Sequence, residues 1–210
     1  MNQETEQTQP EVLQIKLADG YDLPVIIPRD LRVFIWPHSE LTTPCKDIPI
    51  ETIHQKDFQS IIAYMLLTMY KMQGIGLAAN QVGLKYNCFV WDIKWHIEEK
   101  ISPNVIFNPK IIESYDDYLS GEGCLSCPGV KVPVKRGHYA EIQGLDIHGK
   151  EVNLVAEGLE AACFQHECDH LNGKTIMNQL SQVKRDIYRR KSLKYRKQVR
   201  GQHEPVSAGK

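Results

Sequence analysis

Gln165-His166-Glu167-Cys168-Asp169-His170-Leu171-Asn172-Gly173 carries two histidines and a glutamate at a spacing that implies both a helix and a metal. His166 and His170 stand four residues apart, a spacing that on a helix places both imidazoles on one face, about a turn apart and within reach of a single metal ion. Glu167, one residue on, would lie beside that ion, where it can take a proton from an activated water and pass it to a leaving amine. Upstream, Leu159, Ala162 and Cys163 continue the same face at helical spacing, and Asn172-Gly173 supplies a stop. The histidines therefore belong to the buried side of a helix, where an unpaired polar group is costly and a partner is required.

Two histidines leave a metal underliganded, so a third protein donor must come from elsewhere while one position stays open for water. The candidates are Cys124, Cys127, Cys163 and Glu122. Cys163 lies deeper in the apolar stripe and reads as core. In Gly121-Glu122-Gly123-Cys124-Leu125-Ser126-Cys127-Pro128 two glycines flank a cysteine, a pattern expected where the backbone approaches something closely, so Cys124 is the preferred ligand. A second glycine-rich segment, Gly74 to Gly83, has neither the Lys-Ser/Thr ending of a phosphate loop nor the third glycine of a dinucleotide fingerprint. It reads as a turn, and its Gln81 carries a neutral donor suited to polarising a carbonyl.

Working outward, the 210 residues suit one domain with a single core. Hydrophobic residues make up 42% and charged residues 24%, and a formal net charge of -1 gives no global reason to expect a nucleic acid or a charged surface as partner. No apolar run reaches the roughly 20 residues of a membrane span. Met1 to Glu11 is polar and acidic, a loose tail without the h-region of a secretory signal, which predicts a cytoplasmic protein. Six cysteines in that setting are expected as free thiols or ligands, with Cys45 and Cys88 as buried hydrophobes. Leu13 to Ile27 suggests edge strands or a hairpin, Phe58 to Met69 an amphipathic helix, and Asn87 to Ile93, Val105 to Ile112 and Val130 to Ile147 several short antiparallel strands. Ser181 to Arg200 predicts a second helix with a thin stripe of Val183, Ile187, Tyr188, Tyr195 and Val199.

GIGLAANQ at Gly74 to Gln81, EGCLS at Glu122 to Ser126 and QHECDHLNG at Gln165 to Gly173, in this order, resemble the peptide deformylase family. The resemblance spans about Arg32 to Tyr195, including an entry strand with Pro37 and the exit Gly173-Lys174. It implies an α+β fold in which antiparallel strands surround the central metal-binding helix, with an additional N-terminal helix and a basic C-terminal helix. The expected units are an N-terminal extension (1–31), a catalytic unit (32–180) and a basic helix and tail (181–210). The implied activity is removal of the N-formyl group from the N-terminal formylmethionine of nascent polypeptides, releasing formate. The implied ligands are Cys124, His166 and His170, with Glu167 as acid/base and Gln81 and the Leu125 N–H as oxyanion donors. Ile75, Gly76, Ser120, Glu122, Gly123, Leu159, Ala162 and Cys163 are the implied substrate contacts. Arg136 and Asp169 are the implied pair holding the metal helix to the strand after Cys124. Fe(II) is the expected ion, with Zn, Ni and Co compatible with the same donors.

Ser120 and Ala162 stand where the family's pocket for the methionine side chain has bulkier groups, and Cys127 replaces an aliphatic residue, so a roomier pocket is expected. Two other readings compete: a thermolysin-like zinc protease with a downstream acidic ligand, and a structural zinc site of Cys124, Cys127, Cys163 and His166. Finally, Lys184 to Arg200 carries nine basic residues against Asp186 alone, which suggests docking on ribosomal RNA.

Overall fold

A computed structural model describes residues 13–25 and 31–200. The acidic tail before residue 13, and the Tyr195 and Val199 side chains of the expected stripe, lie outside the described residues. β1 (Leu13–Lys16) and β2 (Asp22–Val25) form the expected antiparallel hairpin, turned at Gly20 with φ +92°. Leu23 and Val25 are buried in one cluster with Phe58, Ile62, Met65, Leu66 and Met69. The hairpin thus shares a core with the unit expected to begin at residue 32.

A short helix, α1 (Ile50–Ile53), precedes α2 (Lys56–Lys71), whose inward stripe of large apolar side chains matches the periodicity seen in the sequence. Each such side chain removed from water contributes about 1.5–3 kcal/mol. The main sheet follows: β3 (Gly76–Ala78), β4 (Cys88–Trp91), then α3 (Lys94–Glu98), β5 (Asn104–Glu122), β6 (Val132–Leu145) and β7 (Glu151–Glu157). Its strands pair antiparallel in the order β3-β4-β5-β6-β7.

The expectation of short strands is overturned: β5 has 19 residues and β6 has 14. Glu113 to Ser120 is largely exposed and polar enough to look like a loop, but its pairing with Val134 to Glu141 holds it extended, a case of tertiary context overriding propensity. Register shifts between Phe107 and Lys110 and between Ile111 and Glu113 bend the long strand. β3 lies inside the segment expected to be only a turn, and β7 and α3 were not anticipated. The stretch around Pro37 is not a strand. It is an extended connection that donates from Phe34 N to Gln81 O (2.7 Å) and from Trp36 N to Ser126 O (2.9 Å), tying two of the motif segments together.

α4 (Gly158–Leu171) lies on the sheet, with Ala161, Cys163, Phe164, Cys168 and Leu171 packed against Phe89, Trp91, Ile106, Ala140 and Ile142. Its end is where the sequence puts it. Asn172 caps the last turn and Gly173 has φ +72°, with no room for a Cβ, which would sit 2.7 Å from Thr42 O. Leu159 departs from the expected buried face: at the first turn it is exposed, whereas Ala162, Cys163, His166 and His170 are buried. α5 (Gln182–Arg200) closes the described chain. Its expected stripe is thinner than thought, since Val183 and Ile187 are exposed and Tyr188 alone of the three is buried, donating from its hydroxyl to Pro128 O at 3.1 Å. Among the described residues no helix is long and apolar enough to cross a membrane. The architecture is α+β, as expected.

Candidate metal centre

Two elements converge on one point. α4 contributes His166 and His170, and the loop leaving β5 contributes Cys124; one donor atom from each lies within 4.8 Å of the others. Cys124 Sγ is 3.1 Å from His170 Nε2. A hydrogen bond with Cys127, and after it burial, raise the Cys124 thiol above its ordinary value, against the pull of the two histidines. A divalent ion at this point would take the place of that proton, and a thiolate with two imidazoles is a donor set suited to borderline metals. Neither Cys127, which hydrogen-bonds with Cys124, nor Cys163, whose Sγ faces Ile75 O at 3.8 Å, belongs to the converging donor set. The structural zinc reading, which needs both, is not the arrangement found.

His166 Nδ1 lies 2.8 Å from Glu122 Oε2, which leaves Nε2 as the nitrogen able to bind an ion. Arg136 on β6 donates from Nε to Glu122 Oε1 (2.6 Å), from Nη2 to Glu122 Oε2 (3.0 Å) and from Nη1 to Asp169 Oδ2 (2.6 Å). Burial pushes the Glu122 carboxyl up, but the hydrogen bonds from His166 and Arg136 outweigh it and bring it to about 2. Glu122 was expected against the substrate. Its side chain is instead committed to the metal helix, because a carboxylate buried between a guanidinium and an imidazole is stabilised far better than one in an open cleft.

Glu167 is buried, with Oε2 lacking a hydrogen-bond partner among the described residues. Burial lifts its carboxyl to about 7, against the pull of His166, so it can both take and return a proton near neutrality. Gly76 explains why a glycine is needed beside it: a Cβ there would lie 2.5 Å from Glu167 Oε1 and 2.7 Å from Cys163 Sγ. Gln81 accepts at Oε1 from Ala78 N (2.8 Å), which turns its Nε2 toward Ser126 Oγ (3.1 Å) and Cys124 Sγ (3.6 Å).

The remaining expected residues fall around this centre in different ways. Ile75 and Leu125 are half-buried, Ala162 is buried at 3% exposure, and Ser120 is half-buried on the strand face shared with Val134. A Cβ built on Gly121 would meet nothing within 4 Å and one on Gly123 only Val130 O at 4.0 Å, so crowding by the chain itself does not require glycine at either position. Sequence reasoning missed Asn80, whose Nδ2 donates to His170 O and ties the end of α4 to the Ala79–Val82 turn. It also missed the Gln165 side chain, which pairs with both backbone groups of Gly137 as a strand would. An Asn beside the motif Gln, and a Gln heading the histidine motif, were the available signals.

Two imidazoles and a cysteine that can share an ion, with a carboxylate of near-neutral pKa beside them, define a metal-dependent hydrolase. Residues 31–186 match the polypeptide deformylase family, and the chain belongs to it. A peptide deformylase of Xylella fastidiosa strain M12 is 40% identical over 169 residues, covering 80% of this chain and 98% of its own. That of Azotobacter vinelandii is 42% identical over 171 residues, covering 80% and 97%. Among solved structures, a peptide deformylase from Legionella pneumophila superposes with a TM-score of 0.74 at 35% identity, over 84% of this chain and all of the other. One from Synechococcus elongatus, solved in complex with actinonin, gives 0.67 at 37% identity over 74% and 83%. The activity is removal of the N-formyl group from nascent peptides by metal-dependent hydrolysis. The thermolysin-like alternative falls with this assignment.

Proposed function

We propose that Cys124, His166 and His170 hold one divalent ion, Fe(II) first, with Zn, Ni and Co accepted by the same donors. The observation that carries this is the convergence of their three donor atoms beside the buried, unpartnered Glu167 oxygen. An ion held there would supply Lewis acidity toward the formyl group and its attacking water. Glu167 is placed to accept a proton from the attacking water and return it to the departing amine, a role its pKa of about 7 suits. Gln81 Nε2, fixed by the Ala78 N–H, and the Leu125 backbone N–H donate to the oxyanion that develops on the formyl oxygen. Gly76 offers backbone hydrogen bonds to the extended peptide. Glu122 and Arg136 keep His166 in the tautomer that leaves Nε2 available, and Asp169 ties Arg136 to α4.

The substrate is the formylated N-terminus of nascent polypeptides, with Ile75, Ser120, Gly123, Leu159, Ala162 and Cys163 around its first side chain. The small Ser120 and Ala162 make that pocket tolerant of residues other than methionine. Because such substrates arise where translation occurs, we place the enzyme in the cytoplasm. The basic α5 then attracts ribosomal RNA phosphates and keeps the catalytic unit, residues 32–180, near emerging chains. The test is formate release from formyl-Met-Ala-Ser by protein stripped of metal and reloaded separately with Fe(II), Zn, Ni and Co. Turnover restored by an ion and abolished by chelation is expected. Turnover independent of added metal would refute the proposal.

A further inference from the structure

β3 is an edge strand of the sheet. Ile75 O accepts from Asp92 N at 3.0 Å, so the backbone at Ile75 faces β4, and by the alternation of a strand the N–H and C=O of Gly76 face the free edge. At Ala78, of the same parity, the N–H is taken by Gln81 Oε1, which closes that edge on the side of the Ala79–Val82 turn. A peptide that adds to this edge with its formyl end beside Gln81 and the Cys124, His166 and His170 donors runs away from Ala78, toward Gly74 and antiparallel to β3. Its strand pairing ends at Gly76, because Gly74 N–H donates to Met69 O at 2.9 Å and Gly74 O is already taken. At about 3.4 Å per residue, a first residue opposite Gly76 brings the third to the level of Gly74, where side chains rather than strand backbone meet it.

Gly74 is framed by two side chains. A Cβ on it would lie 2.7 Å from Leu125 Cδ1, and its carbonyl oxygen accepts from Trp95 Nε1 at 2.9 Å. Trp95 is itself fixed: its backbone N donates to Asp92 Oδ1 (3.0 Å), and its ring meets Tyr70 edge to face at 5.5 Å and 86°. The Tyr70 hydroxyl donates to Asp92 Oδ2 at 2.6 Å, and Asp92 is wholly buried. The result is a half-buried indole, held rigidly where the peptide leaves the site.

We propose that Trp95 is a specificity-determining residue that packs against the side chain of the third substrate residue and favours aromatic and large apolar groups there. A ring already locked in place loses little entropy on binding, and aromatic pairs are favourable beyond their buried area. This proposal rests on the deformylase reading and on the extended pose at Gly76.

The experiment compares kcat/KM for formyl-Met-Ala, formyl-Met-Ala-Ser and formyl-Met-Ala-Phe in wild type, Trp95→Ala and Trp95→Leu. Wild type is expected to favour Phe over Ser at the third position by roughly five- to tenfold, mostly through KM. Trp95→Ala should bring that ratio to about one and leave formyl-Met-Ala within about twofold of wild type. Trp95→Leu, which keeps most of the volume without an aromatic face, should give about twofold and serves if the alanine variant does not fold. An unchanged Phe/Ser ratio in both variants would overturn the proposal. So would an equal loss on all three peptides, which would mean that Trp95 only supports Gly74. No formate from any peptide with metal-loaded wild type would instead overturn the deformylase reading beneath it.

Discussion

Glu122 Oε2 stands 2.8 Å from His166 Nδ1, while both oxygens of the same carboxylate also accept from Arg136. One buried side chain therefore orients a candidate ligand and neutralises the guanidinium that ties β6 to α4. Glu122→Gln should destabilise the metal-free protein by about 3 kcal/mol near neutral pH, because it leaves Arg136 without its main partner. The pH dependence follows from a folded-state value of about 2 against an ordinary glutamate near 4.3. A carboxyl depressed on folding contributes stability that is present above its unfolded value and lost as pH falls through its folded one. The gap between wild type and Glu122→Gln should thus narrow between about pH 4 and pH 2, by on the order of 2 kcal/mol. Urea unfolding at several pH values measures it, and a gap that stays constant would contradict this role.

Gly76→Ala tests how tightly the acid/base is seated. A Cβ 2.5 Å from Glu167 Oε1 forces that carboxylate to move, and misplacement by about an ångström can lower turnover roughly 100-fold. We expect kcat/KM on formyl-Met-Ala-Ser to fall by about 10- to 100-fold, with a loss of about 1–3 kcal/mol in stability. Steady-state kinetics on metal-loaded protein decides, and wild-type kcat/KM would show that Glu167 tolerates the displacement.

The metal helix was legible because its information is local: histidine spacing, an apolar face and a Gly stop lie within fifteen residues of each other. So were α2 and the N-terminal hairpin. The long β5 was not, because Glu113, Ser114, Asp116 and Asp117 acquire their extended form only by pairing with β6, which the local pattern does not encode. For Glu122, the residue type and its glycine neighbours were visible, but whether it faced substrate or core depended on Arg136, fourteen positions away and brought alongside by a strand pairing. The turn expected at Gly74 to Gly83 hides the three residues of β3 because a strand so short carries no periodicity.

The proposed tolerance of the pocket rests on the small side chains of Ser120 and Ala162, the latter buried on α4 beside Cys163. Comparing kcat/KM for formyl-Met-Ala-Ser and formyl-Phe-Ala-Ser should give a preference for Met below about 100-fold, since a missing constriction removes only a few kcal/mol of discrimination. A larger preference would mean that other residues close the pocket.

Ribosome docking is tested by charge. Arg189 lies over the Trp36 ring at 5.7 Å, so reversing it would also disturb packing, and Arg190, Lys194 and Lys197 are the cleaner choice. Replacing these three by Glu should weaken co-sedimentation with ribosomes in a salt-sensitive way and leave kcat/KM on a formylated tripeptide within about twofold. Equal co-sedimentation of wild type and variant at about 50 mM salt would refute docking.

The most direct test of the central claim is Glu167→Gln, which keeps the shape of the buried side chain and removes its proton-accepting capacity. Metal content and formate release from formyl-Met-Ala-Ser are measured on the same sample. Wild-type metal content with kcat lowered about 100- to 10,000-fold is expected. Near-normal formate release from a fully metal-loaded Glu167→Gln enzyme would contradict it.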